Sequence, residues 1–400
     1  MYSVVIVGGG IVGLASALRL KEANPKLKIA IIEKEKTLAS HQTGHNSGVI
    51  HSGLYYKPGS YKAKNCISGY HSLVKFCEEE EINYEICGKV VVATNESQLG
   101  PLETLHERGN ANGLTGLKKL NSKEAIQEYE PHVNGIAGIF VPQTGIIDYL
   151  EVANKYAEKF RHFGGEIFTD NKIVKVSKRT DKLLQIETTN ETLITHFLIN
   201  CAGLYSDKVA KTTQTKVDYK IIPFRGEYFK LKPEKEHLVK NLIYPVPDPN
   251  FPFLGVHFTR MIHGGIEAGP NAVLAYRREG YTKTAIHLGE FFESLFYPGF
   301  RKVAAKYWKT GMGELYRSYS KSAFTKALQE LIPEVEKKDL VAGGAGVRAQ
   351  ACDRTGGLLD DFLVLENENI INVGNAPSPA ATSSLAIGQQ VADLTLEKLG

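Results

Sequence analysis

Gly8, Gly10 and Gly13 fill the three fixed positions of a G-x-G-x-x-G loop, and Glu33 follows about twenty residues later. That spacing has a chemical purpose. Gly8 permits a tight turn, Gly10 lets the backbone approach a pyrophosphate, and Gly13 lets a helix pack closely on a strand. Phosphates would sit against Gly10, Ile11, Val12 and Gly13 at a positive helix N-terminus. Glu33, with Lys34 beside it, is placed to accept ribose hydroxyls, and an acid rather than an arginine argues against a 2′-phosphate. A second cluster follows, running from His41 to Tyr56 and containing Thr43, Gly44, His45, Asn46, Ser47 and His51. It is dense in glycine, small hydroxyls and imidazoles, so we read it as a backbone-lined wall for the same cofactor.

These residues need elements to hold them. Val4–Val7 is a short β-branched run, Ile11–Lys21 a helix, Asn24-Pro25 a turn, and Ile29–Ile32 a second apolar strand. Ala63–Glu80 and Leu150–Phe163 are amphipathic helices, and Gly88–Ala93 and Gly138–Val141 are strands. Phe197–Asn200 delivers Cys201, Ala202 and Gly203 to a turn, again bringing backbone near a ligand. Residues 217–274 read as β, 294–331 as helical and rich in aromatics. The chain then returns to a strand at Ile370–Gly374 and a helix from about Ser383 to Lys398, the closing unit of the sheet that began at residue 4. The nucleotide-binding domain is therefore discontinuous, which suits a flavoprotein better than a contiguous NAD-binding domain. The expected fold is α/β (α+β): a Rossmann-like FAD-binding domain of residues 1–75, 145–215 and 340–400. Interleaved with it, residues 76–144 and 216–339 form a substrate domain on a mainly antiparallel sheet.

Bulk properties set outer limits. At 400 residues the chain exceeds one hydrophobic core, and 42% hydrophobic with 23% charged residues is ordinary globular composition. A net charge of +4, from 48 basic against 44 acidic residues, gives no footprint for nucleic acid. Five cysteines without a C-x-x-C pair argue against a disulfide framework or a structural metal site and for a reducing cytoplasm. The N-terminus lacks a basic region before its apolar run, and no apolar stretch approaches a membrane-spanning length. Phe291–Leu331 mixes aromatics with Arg301, Lys302, Lys306, Lys309 and Arg317. Two readings of it stand: a peripheral contact with the inner face of a membrane, passing electrons to quinone, or a buried amphipathic helix pair roofing the substrate domain.

The glycine loop with Glu33, Ile199–Gly203 and the C-terminal strand-glycine-helix resemble the D-amino-acid oxidase/glycerol-3-phosphate dehydrogenase superfamily of FAD enzymes, of glutathione-reductase-type fold. Longer strings are more specific. His41–Gly53, Ile222–Gly226, Tyr244–Pro247, Phe251–Phe258, Gly269–Ala272, Ala345–Gln350 and Asn375–Ser384 resemble the L-2-hydroxyglutarate dehydrogenase/oxidase family over essentially the whole chain.

The resemblance implies FAD-dependent oxidation of (S)-2-hydroxyglutarate to 2-oxoglutarate, with hydride passing to flavin N5. An amino-acid or amine oxidase, or a glycerol-3-phosphate-type dehydrogenase, on the same fold is the alternative. Such a reaction needs a cation for the C1 carboxylate and a base for the hydroxyl proton, and a diacid needs a second cation. Arg348, in a Gly-Val-Arg setting like that of related oxidases and followed by Gln350 and Asp353, is expected at the C1 carboxylate. Arg225, Tyr55 and Tyr56, with Arg277 or Lys283, are expected at the distal one. The base is His51 or His257; His41 and His45 shape the flavin wall. Thr43, Gly44, Asn46 and Ser47 would line the ring and ribityl chain, Val174 the adenine, and Ala202 and Gly203 the adenosine half. Ala381, Thr382 and Ser383 open a helix whose N-terminus faces the electron-rich edge of reduced flavin. FAD is expected to be noncovalent despite Cys352 near Arg348. Quinone, oxygen or a flavoprotein remain open as acceptor.

Overall fold

The computed structural model describes residues 1–213, 216–248 and 253–400. The first strand, Tyr2–Val7, is buried on both faces, as a continuous apolar run requires, and pairs in parallel with Ile29–Ile32 and Thr192–Asn200. Ile370–Asn375 pairs in parallel with Thr192–Asn200, so the last strand does close the sheet begun by the first. Eight strands make up this layer. Helices Ile11–Ala23, Tyr149–His162 and Ser384–Leu399 cover one face, contributing Leu14, Leu18, Tyr156, Phe160 and Val391 to a shared core. Gly388 sets how close two of these helices lie, because a Cβ there would stand 2.7 Å from the Ala15 backbone carbon.

A second sheet of nine strands stands beside it. Its longest pair is Tyr219–Leu231 with Leu340–Asp353, antiparallel along nearly their full lengths. Residues 340–353 therefore belong to this second sheet rather than to the first, correcting the expected boundary at 340. Their small-residue pattern marks a strand but carries no signal for which sheet it joins. Lys89–Ala93, Leu242–Pro245 and His257–Arg260 lie side by side elsewhere in the same layer. A small three-stranded sheet, Val49–Ile50 with Gly145–Ile147 and Tyr84–Glu85, stands between the two.

The aromatic-rich segment is four short helices rather than a pair: Leu288–Leu295, Pro298–Lys306, Trp308–Tyr319 and Lys321–Gln329. Phe300, Val303, Phe324 and Leu328 are buried. Leu288, Phe292, Phe296, Trp308, Met312, Tyr316 and Tyr319 face outward.

Candidate active site

A cavity of about 1640 Å³ runs between the two large sheets. That exceeds the roughly 300–1,000 Å³ of a site for one small ligand. At one end it is lined by Gly8, Gly10, Ile11 and Val12. Gly8 has φ +109°, a conformation that glycine adopts freely, and a Cβ there would stand 2.5 Å from the Cys201 carbonyl oxygen. A Cβ on Gly10 would instead project into the cavity, meeting only Thr43 Oγ1 at 3.5 Å. Gly13 lies behind this surface. A Cβ there would meet the Gly8 oxygen at 2.1 Å, so its role is packing rather than contact. The helix Ile11–Ala23 takes no cap from its own N-cap residue, Gly10; Ile11 N–H donates to Thr43 Oγ1 at 3.1 Å, and the helix end beyond it, at Val12, is left to the cavity.

Glu33 reaches this end with both carboxylate oxygens held. Oε2 accepts from Gly9 N–H at 2.7 Å and Oε1 from Glu35 N–H at 2.9 Å. Each oxygen keeps a lone pair for a ribose hydroxyl. Lys34, Thr43, Asn46, Ser47, Ala202 and Gly203 line the cavity. Gly44 does not line it: the residue closes a 3-10 turn, and a Cβ there would press on the Ala39 carbonyl at 2.8 Å. Val174 also lies elsewhere, more than half exposed, while Asn171, Lys172 and Ile173 line the wall in its place. A register shift between Ile173 and Lys175 interrupts the alternation and leaves both Val174 and Lys175 exposed. Thr382 and Ser383 are fully buried behind the wall made by Ala380 and Ala381. Thr382 Oγ1 accepts from His51 N–H at 3.1 Å and bonds Tyr149 Oη at 2.7 Å, so it supports the wall from behind. An open helix end, a cradle at Gly10 and an anchored acid together fit a dinucleotide.

The other end brings His51, Tyr55, Tyr56, His257 and Arg348 to one surface. Arg348 stands opposite Phe224 on paired strands, and Val347 stands opposite Arg225. Opposed residues share a face, so the two arginines point to opposite sides of the sheet. Arg348 faces the cavity, its guanidinium over the Phe253 ring at 5.4 Å, and no carboxylate among the described residues pairs with it. Arg225 is fully buried, donating to Glu227 Oε1 at 2.8 and 3.0 Å and to the Thr282 carbonyl at 3.0 Å. It lies outside the cavity wall, which corrects its expected role at the distal carboxylate. Lys283 is likewise engaged, with the Ser318 carbonyl and Glu227. Arg277 lines the cavity on the segment whose Glu279 pairs with Lys34, at the nucleotide end. Part of one motif string, Phe251-Pro252, lies outside the described residues.

His51 follows the strand Val49–Ile50, and His257 opens the strand His257–Arg260. Burial, with the nearby Lys89 charge, His257 and Lys62 adding to it, pulls His51 down to about 3. His257 is also pulled down to about 3, by burial and then by the Arg348 and Lys89 charges, against the opposing effect of its bond to Gly255. Both rings are therefore neutral at physiological pH. His257 Nδ1 lies 2.9 Å from the Gly255 carbonyl oxygen. A carbonyl only accepts, so Nδ1 carries the hydrogen and Nε2 presents the lone pair. Nε2 of His51 lies 3.3 Å from Ser378 Oγ, a group able to donate or accept.

Three side chains here were absent from the expected site. Tyr228 and Tyr244 line the cavity, and the Tyr244 ring lies 4.0 Å from that of His257. Lys89 is 1% exposed, with its ammonium 4.4 Å from the Tyr55 ring centre and 4.8 Å from that of Tyr244. The one available signal was a lysine opening an otherwise apolar strand, Lys-Val-Val-Val-Ala, a pattern more often met at a solvated strand end. Cys352 is fully buried and does not line the cavity, so it is no attachment point for a cofactor.

Residues 3–394 match the family described as FAD dependent oxidoreductase, DAO. An L-2-hydroxyglutarate dehydrogenase of Indibacter alkaliphilus is 62% identical over 398 residues, covering 99% of each chain. The mitochondrial L-2-hydroxyglutarate dehydrogenase of Homo sapiens is 44% identical over 408 residues, covering 98% of this chain and 88% of its own. Among solved structures, the L-alpha-glycerophosphate oxidase of Mycoplasma pneumoniae with FAD bound superimposes with a TM-score of 0.80 at 24% identity, covering 99% of this chain and 94% of that one.

Proposed function

We propose that this chain, which belongs to the DAO family of FAD dependent oxidoreductases and within it resembles the L-2-hydroxyglutarate dehydrogenases throughout its length, oxidises (S)-2-hydroxyglutarate to 2-oxoglutarate. The observation that carries the reading is one surface holding a carboxylate-binding arginine without an anion of its own beside a neutral histidine of fixed tautomer. Arg348 holds the C1 carboxylate through its planar guanidinium and so aligns C2 and its hydroxyl. His257 Nε2 takes the hydroxyl proton. Burial holds this imidazole at low pKa and the Arg348 and Lys89 charges add to it; a carboxylate at Arg348 cancels the Arg348 part, so substrate binding itself makes the base stronger. His51, fixed through its backbone to Thr382, completes the wall beside it. FAD, when bound, supplies the acceptor for the C2 hydride, held noncovalently by the glycine loop, Glu33 and the wall at Ala380 and Ala381.

Anaerobic mixing of holoenzyme with (S)-2-hydroxyglutarate, its R enantiomer, glycerol 3-phosphate and glycine tests this. Bleaching of flavin absorbance by the S enantiomer is expected, and its failure there overturns the reading.

We infer further that the enzyme meets a membrane surface. No helix among the described residues is long and apolar enough to cross a membrane. Phe296 at 66%, Trp308 at 60% and Tyr316 at 67% exposure nonetheless form an outward aromatic face, rimmed by exposed Arg301, Lys302, Lys306 and Lys309. Glu290 and Glu314 in the same helices are buried, so the face is cationic. Aromatic rings with a basic rim suit the headgroup region of an anionic bilayer. Cosedimentation with phosphatidylglycerol but not phosphatidylcholine vesicles, lost in Phe296→Ser/Trp308→Ser, is the expected result.

A further inference from the structure

Every cation around the nucleotide end has a counter-charge or a place on the surface; at the substrate end, Lys89 has neither among the described residues. Its strand, Lys89–Ala93, runs parallel to Leu242–Pro245 with Tyr244 beside Val91, and residues 89 and 91 share a face. Tyr244 and His257 lie on that face too, on the next two strands. The Lys89 ammonium thus sits directly behind the cavity wall, against the rings of Tyr55 and Tyr244 and near His51 and His257; those four residues line the cavity and Lys89 itself does not, so a carboxylate reaches it between the two tyrosine rings. No carboxylate or carbonyl among the described residues accepts from it. Cys66, the nearby group that could become an anion, is kept a neutral thiol by burial, pushed up to about 12. The Tyr55 hydroxyl beside it is also buried without a hydrogen-bond partner.

An isolated buried ammonium is costly, and a fold holds one only against an opposing gain. Ring faces offset part of that cost. They leave the net charge uncancelled. Arg348 and Lys89 both act on His257, and neither cation has an anion among the described residues. A dicarboxylate supplies two anions.

We propose that Lys89, with the Tyr55 hydroxyl, is the specificity-determining group that receives the second carboxylate of the substrate, so that the enzyme selects a 2-hydroxy diacid over a 2-hydroxy monoacid. The proposal rests on the reading of the reaction given above. It places Lys89 in the role first expected of Arg225.

The test compares wild type and Lys89→Met holoenzyme on (S)-2-hydroxyglutarate and on (S)-2-hydroxypentanoate, which has the same five carbons and one carboxylate. In Lys89→Met, kcat/KM for the diacid is expected to fall about 30-fold or more while that for the monoacid stays within about 3-fold, the pattern for one lost charged partner. Equal losses on both substrates, or no loss on either, overturn the proposal. Isothermal titration of resting holoenzyme with glutarate and pentanoate reads the same preference without turnover: Lys89→Met is expected to lose glutarate affinity only. Should wild type bind glutarate yet fail to oxidise (S)-2-hydroxyglutarate, the reaction reading falls and the titration still judges Lys89. Flavin content checks folding. Tyr55→Phe, which keeps the ring and removes the hydroxyl, is expected to give a smaller loss, again confined to the diacid; a loss on both acids counts against the hydroxyl's part in it.

Discussion

The two ends of the cavity treat charge in opposite ways. At the nucleotide end, Lys34 bonds Glu279 at 2.7 Å and also Glu35, while His41 reaches Glu279 at 2.9 Å and Glu35 at 3.0 Å. His45 stacks on Tyr281 at 4.1 Å, tying the same segment down. Charges there are satisfied by the protein itself, and the ligand is met by backbone and by spare lone pairs. At the substrate end, Arg348 and Lys89 have no anions and two histidines are held neutral by burial. A permanent ligand can be held by a surface that is complete without it. A ligand that must arrive, react and leave is better met by unpaired charges whose cost its binding removes.

That contrast can be broken at several points. The largest effect is expected from His257→Asn, which keeps a polar group near Gly255 but removes the base: kcat should fall about 10²–10⁴-fold with flavin content unchanged, measured in single-turnover reduction. Arg348→Ala should lower kcat/KM by about 2–4 kcal/mol equivalent, again without loss of flavin. Unchanged kinetics would remove Arg348 from the site. Gly13→Ala attacks the other end. Its Cβ would stand 2.1 Å from the Gly8 oxygen. A cost of about 1–3 kcal/mol in stability, with reduced flavin occupancy by absorbance ratio, is expected from such overpacking.

The pH profile is the mildest test. Burial lowers Lys89 from its usual value to about 7, with only nearby Cys66 opposing and Tyr55, Tyr244, His51 and His257 around it. A lysine loses its charge as pH rises through its pKa. KM for the diacid should therefore climb above about pH 7, and Lys89→Met should flatten that limb. The same shift has a sign for folding: unfolded Lys89 binds its proton up to near pH 10.5, so the folded state carries the full cost of the charge below about pH 7 and gains stability as pH rises from there toward 10.5. Lys89→Met should accordingly raise Tm most at acid pH. Flat KM across that range would dissolve the contrast between the two ends.

Local sequence carried the nucleotide end almost completely. A strand, three glycines, a helix and an acid make their contacts within a few dozen residues, so their spacing alone specifies the turn, the open helix end and the ribose acceptor. The same proximity explains the small errors there: a one- or two-residue offset puts Val174 in solvent and Ser383 in the core while their neighbours Ile173 and Ala381 meet the cavity. For the substrate end, the motif strings named Arg348, His51 and His257 but also put Arg225 in the same site, at the distal carboxylate. Only strand register does that, since pairing Phe224 with Arg348 and Arg225 with Val347 sends the two guanidiniums to opposite faces. Lys89 was invisible for the same reason. Nothing in its own strand says that Tyr244 and His257 will stand over it. The sequence by itself determined the cofactor loop and the residue types of the reaction, because those are written in short-range spacing. Which cations remain without anions, and so which end awaits a diacid, was decided by long-range pairing that only the folded sheets supply.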